Sequence, residues 1–167
     1  MNECKLSENN WTRVAVFAGG DRGHYRTDFD CFVGVDRGSL WVLEEELPLT
    51  LAVGDFDSVT ADERQLIQKC AQHFVQAQPE KDDTDLELAL LTIFEQNSQA
   101  QVTIFGALGG RIDHMLANVF LPSNPKLAPY MRQIAIEDGQ NVIAYCPEGT
   151  SQLEPRSDYD YLAFMPV

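Results

Sequence analysis

Uninterrupted apolar runs of strand length recur along this chain, and each stops at glycine or aspartate. Residues 14–18 (VAVFA) run into Gly19-Gly20, residues 31–35 (CFVGV) into Asp36-Arg37-Gly38, and residues 49–53 (LTLAV) into Gly54-Asp55. A strand wetted on one face alternates polar with apolar residues, whereas one covered on both faces does not. Residues 73–77 (HFVQA) and 101–105 (QVTIF) read as two further strands. Helical segments lie between them. One spans residues 39–47 and is stopped by Pro48; another spans residues 61–71, opened by Thr60 and Glu63 in capping-box relation. A third begins near Thr84-Asp85 with the same device in Thr84 and Glu87, and places Leu86, Ala89, Leu90, Ile93 and Phe94 on one face. A fourth spans about residues 111–121 and ends at Pro122. This alternation predicts an α/β fold: a doubly wound, mostly parallel sheet with helices on both faces.

The texture changes after Pro122. A Pro-rich connection (SNPKLAPYM) leads to strand-like segments at residues 133–137, 141–145 and 159–164 with turn residues between them and no helix. The expected organisation is an α/β domain over residues 1–122, then an incomplete C-terminal antiparallel β domain over residues 123–167. About 45 residues are too few to close a sandwich. With 12 basic and 26 acidic residues the formal charge is −14, so no cationic surplus exists to displace counterions from nucleic acid. No apolar run reaches the roughly 18 residues of a membrane span, and no signal-peptide apolar region opens the chain, so a cytoplasmic protein is expected. Cys4, Cys31, Cys70 and Cys146 form no CxxC pair, which argues against structural zinc and a disulfide framework. Cys31 and Cys146 lie in apolar stretches and are expected to be buried.

Open α/β sheets bind ligands at the carboxyl ends of their strands, and the chemistry-bearing residues cluster there. The clusters are Gly19–Gly23, Asp36-Arg37-Gly38, Gly54-Asp55-Phe56-Asp57-Ser58, Lys81-Asp82-Asp83-Thr84-Asp85, and residues 106–114 (GALGGRIDH). Carboxylates brought together repel, so they bind cations or take up protons; Mg²⁺, a hard oxygen-seeking ion, suits them. Each cluster has a plainer alternative. Asp55 and Asp57 share a face in extended backbone and straddle one ion, or Asp57 and Ser58 form a turn capping the next helix. The KDDTD run is a solvated helix start, or a metal site with Lys81 facing a phosphate. The glycines of GALGGRIDH permit close packing, or with Arg111 they form an anion site at a helix start. The phosphate loop GxxxxGK[ST] and the GxGxxG fingerprint are both absent.

In order and spacing, FAGG (17–20), VGVDRG (33–38), VGDFDSVT (53–60), EKDDTDLELAL (80–90) and GALGGRIDHMLAN (106–118) resemble the bacterial thiamine pyrophosphokinases. The resemblance implies pyrophosphoryl transfer from ATP to the hydroxyl of thiamine, with Mg²⁺ as cofactor, ATP as co-substrate and a homodimeric assembly. It implies Asp36, Asp55, Asp57 and Asp85 as metal ligands, and Lys81 and Arg111 as phosphate contacts. Gly19, Gly20, Gly109 and Gly110 are then backbone approaches to ATP, joined by Arg37, His114 and Asn118 in nucleotide binding. Asp113 orients the hydroxyl or accepts its proton. A metal-dependent phosphoesterase and a non-catalytic nucleotide-binding remnant are the alternative readings of the same acidic loops.

Overall fold

The computed structural model describes residues 10–77, 84–154 and 156–166. The apolar runs become β1 (Arg13–Phe17), β2 (Cys31–Val35), β3 (Leu49–Gly54), β4 (His73–Gln76) and β5 (Gln101–Phe105), followed by β6 (Ile134–Glu137) and β7 (Val142–Ala144). They form one sheet in the order β4-β3-β2-β1-β5-β6-β7. Every neighbouring pair is parallel except β6 with β7. Helices α1 (Gly38–Glu44), α2 (Ala61–Cys70), α3 (Asp85–Gln96) and α4 (Ile112–Phe120) complete the α/β pattern.

Burial on both faces explains the continuous apolar runs. Ala15, Phe17, Phe32 and Ala52 pack with Leu40 and Trp41 of α1 and Ile67 of α2. Val14, Val16, Val33, Leu51 and Val53 point the other way, into a core with Leu86, Leu90 and Ile93 of α3. Successive residues of one strand thus feed opposite cores, as the two-residue period requires.

The helix starts follow their caps. Thr60 Oγ1 accepts the Glu63 N–H at 3.3 Å and Glu63 Oε2 accepts the Thr60 N–H at 2.7 Å, a full capping box. Thr84 Oγ1 accepts the Glu87 N–H at 3.1 Å, but the Glu87 carboxylate is engaged by Asn124 Nδ2 (3.1 Å) and Lys126 Nζ (3.5 Å). That buried acid therefore ties the connection after α4 onto α3. Helix α1 is shorter than expected and ends at Glu44. Glu46 then takes a left-handed turn (φ 56°), and the Leu47 N–H donates to Val42 O before Pro48.

The stretch after Pro122 joins the same sheet. Two 3₁₀ turns, Leu121–Ser123 and Ala128–Gln133, bury Leu121 and Leu127 against the α3 core and so act as the crossover. Strand β6 pairs with β5 through Val102↔Ile134 and Ile104↔Ile136, and β7 returns antiparallel through Ile136↔Ile143. The sheet runs without a break across the expected boundary at residue 122. Residues 159–164 form no strand, and Tyr161, Leu162 and Phe164 are exposed. Cys31 is buried as expected, but Cys146, just past the outermost strand, is exposed. No helix among the described residues is long and apolar enough to cross a membrane.

Candidate active site

Two groups of loops meet the carboxyl edge of the sheet. The first is acidic. Asp36 follows β2, Asp55 follows β3 and Asp85 opens α3, and one carboxylate oxygen from each lies within 4.8 Å of the other two. Ionised oxygens at that spacing repel by about 3 kcal/mol per pair at an effective dielectric near 20.

The backbone has been bent to hold Asp36 there. Asp36 is left-handed (φ 47°), and its N–H donates to Val53 O at 2.9 Å. Its Oδ1 accepts the N–H of Phe56, which is itself left-handed (φ 59°), at 3.1 Å. Gly54 between them has no alternative. A Cβ there would stand 2.0 Å from Asp36 Oδ1, at φ +155°. A left-handed φ at a non-glycine residue costs roughly 1–2 kcal/mol. Burying the Phe56 ring offsets this by about 2–3 kcal/mol; the residue is 3% exposed, and its ring stacks on Phe74 of β4 at 4.7 Å and 16°.

Burial pushes the Asp36 carboxyl up to about 7; the negative charges of Asp85 and Asp55 add to the rise, and the Phe56 N–H opposes it. An acid that resists ionising beside two others is a group that a cation would relieve. The donor set is hard oxygen from three separate elements, which fits a hard divalent ion such as Mg²⁺.

The second group is rich in glycine. The strand order reverses at β1, flanked by β2 on one side and β5 on the other, and such switch points are where open α/β sheets form a crevice. The loops after β1 and β5 are laced together here: Ala18 N–H donates to Phe105 O (2.9 Å) and Gly20 N–H to Gly106 O (3.0 Å). Gly20 must lack a side chain, because a Cβ would sit 2.3 Å from Gly106 O. Gly19 lies beside Arg37, whose Cβ would stand 3.7 Å from a Cβ at Gly19, so the loops after β1 and β2 adjoin. Gly109 and Gly110 are left-handed (φ 83° and 69°) with open space around them. Arg111 stands at the N-cap of α4, and its side chain caps no helix N–H. It pairs instead with Asp113, Nη2 to Oδ2 at 2.6 Å and Nε to Oδ1 at 3.2 Å, both side chains well exposed. That guanidinium holds the Asp113 carboxyl below the usual range.

Of the sequence-predicted metal residues, Asp36, Asp55 and Asp85 come together, whereas Asp57 stands outside the trio and is exposed. The shared face expected for Asp55 and Asp57 needs extended backbone between them. Phe56 is left-handed instead, and the Asp57 N–H folds back onto Asp55 Oδ1 at 2.9 Å. Asn118 donates its amide to Ala107 O (3.0 Å) and so braces the glycine loop; His114 is exposed on the same helix. Lys81 lies outside the described residues. Sequence reasoning missed Gly54 and Phe56 as the holders of Asp36. Their signal was a glycine and a bulky apolar residue flanking Asp55, in a stretch read only for its acids.

Comparison with known proteins adds the family. The model of the thiamin pyrophosphokinase catalytic domain matches residues 23–131. The thiamine pyrophosphokinase of Bacillus subtilis (strain 168) is 35% identical over 159 residues, which cover 92% of this chain and 73% of that protein. A thiamin pyrophosphokinase family protein from Enterococcus faecalis is similar in structure, with a TM-score of 0.79 and 46% identity over 83% of this chain and 67% of its own. The crystal structure of the Bacillus subtilis enzyme has a TM-score of 0.63 at 35% identity, over 78% of this chain and 62% of its own. This chain therefore spans roughly two thirds of the length of those solved relatives.

Proposed function

The chain belongs to the thiamin pyrophosphokinase family, a family of kinases, and from that premise we propose that it transfers the β,γ-pyrophosphoryl group of ATP to the hydroxyl of thiamine. The products are AMP and thiamine diphosphate. The observation that carries this reading is the meeting of Asp36, Asp55 and Asp85 from three elements at the sheet edge that also presents the glycine loops.

Asp36, Asp55 and Asp85 would hold Mg²⁺, which when bound offsets charge on the polyphosphate oxygens and helps align them. Asp57 contributes negative charge at the rim. The N–H groups of Gly19, Gly109 and Gly110 approach the nucleotide, while the Gly20 N–H, held by Gly106 O, fixes the loop after β1 rather than facing a ligand. Arg37, Lys81 and His114 are further contacts, and Asn118 holds the loop after β5. Arg111 leaves Asp113 for the phosphate oxygens, since a guanidinium fork matches them as well as it matches a carboxylate. Asp113, once released, is free to orient the thiamine hydroxyl and take its proton, and Asp55 is the alternative acceptor. As the hydroxyl oxygen bonds to the β-phosphorus, the bond from that phosphorus to the oxygen bridging it to the α-phosphorus breaks, and AMP departs with that oxygen. Residues 1–122 carry the ATP and metal half, and residues 123–167 lead toward thiamine in a cytoplasmic homodimer.

Product analysis with Mg·ATP, with and without thiamine, tests the proposal. The expected result is AMP formed only with thiamine present. Phosphate released at the same rate without thiamine would establish a hydrolase instead.

A further inference from the structure

We propose that Phe74, on the outermost strand β4, is a positioning residue for the acidic trio, acting through the ring of Phe56 and the hydrogen bond from the Phe56 backbone to Asp36. The inference rests on the metal-binding reading above and deepens it. Phe74 meets the loop after β3 through Phe56, with which it stacks nearly parallel. Its place is set by the sheet: Ala52↔Phe74 and Val53↔Val75 fix the register, and the Ala77 N–H donates to Gly54 O at 2.8 Å just before the bend. The β3–β4 pairing thus holds the chain up to Gly54, and the Phe56–Phe74 stack holds it just beyond.

The consequence follows from the backbone. Phe56 holds a left-handed φ of 59° that an unsupported phenylalanine would abandon for the extended or helical region. In doing so it would turn its N–H away from Asp36 Oδ1, now 3.1 Å distant. Asp36 also has a left-handed backbone, and its carboxylate is held by that N–H. Removing the Phe74 ring leaves Asp36 free to rotate out of the 4.8 Å cluster while its own sequence neighbourhood is untouched. Partners that orient metal ligands typically change metal affinity by about 10–100-fold when lost.

The test is a Mn²⁺ titration of the full chain without nucleotide, followed by the paramagnetic signal of free Mn²⁺. Phe74→Ala should bind Mn²⁺ about tenfold or more weakly than the parent. Phe74→Tyr, which keeps the stacked ring, should keep parental affinity, whereas Phe74→Leu, which fills much of the space without stacking, should bind Mn²⁺ more weakly than Phe74→Tyr. Val42→Ala, a cavity in the same core on α1, serves as the control for general destabilisation and should leave Mn²⁺ affinity unchanged. If Phe74→Ala does not fold, Phe74→Leu carries the comparison with Phe74→Tyr. Parental affinity in both the Ala and Leu variants, or equal weakening in Val42→Ala, would overturn the proposal. A parent chain that binds no Mn²⁺ would instead overturn the metal-binding reading beneath it.

Discussion

The acidic and glycine-rich halves of the site are built to opposite degrees of readiness. Asp36, Asp55 and Asp85 are half-buried, and Asp36 is pinned by a backbone N–H and a glycine cradle. Arg111 and Asp113 are exposed and neutralise each other across two residues of one helix start. Like charges do not gather unless the backbone compels them, so a cation site has to be formed before its cation arrives. An anion site made of an arginine and free N–H groups needs no such compulsion. Its arginine rests on a neighbouring carboxylate and exchanges one oxygen pair for another.

The contrast can be broken most sharply at the trio. Asp55→Asn should lower thiamine-dependent AMP formation by on the order of a hundredfold or more, because charge stabilisation in the transition state is lost. Asp57→Asn, outside the trio, should fall short of that by at least tenfold in the same assay; equal losses would place Asp57 among the shared ligands.

Gly54→Ala comes next. The added methyl claims the space of Asp36 Oδ1, and a roughly 10–100-fold loss of divalent-cation affinity is expected, read by titration calorimetry. Arg111→Lys probes the other half. It keeps the charge but loses the fork, so a several-fold rise in KM for ATP is expected with an unchanged thermal midpoint. A drop in thermal midpoint as large as that of a core variant would make Arg111 a structural residue.

The smallest effect is on the pH profile of stability. Asp36 holds its proton up to about 7 in the folded chain and releases it near 3.8 when unfolded. Between those values the folded state binds more protons, so stability is full below about pH 4 for this group and declines as pH rises toward 7. Saturating Mg²⁺ competes with that proton and should flatten the decline. Thermal melts at several pH values, with and without Mg²⁺, check the sign.

What could be read in the sequence was what periodicity and caps encode. Residues 31–35 and 101–105 are strands with the expected ends, because burial on both faces leaves an unbroken apolar run. Thr60 and Thr84 open their helices because a hydroxyl satisfies a free N–H wherever the fold goes. Which of the four acids would meet was not legible. Asp36 reaches the other two from a backbone in which Asp36 and Phe56 are both left-handed, which no hydrophobic pattern records. For the same reason the alternation that paired Asp55 with Asp57 did not hold. The joining of β6 to β5 was hidden as well, since its crossover is made of short 3₁₀ turns rather than a helix with a readable apolar stripe.

A Mn²⁺ titration of the parent chain beside a variant carrying Asp36→Asn, Asp55→Asn and Asp85→Asn together tests the central claim most directly. The account predicts a bound ion in the parent and at least a hundredfold weaker binding in the triple variant, with the fold retained by circular dichroism. Equal affinity in the two proteins would contradict it.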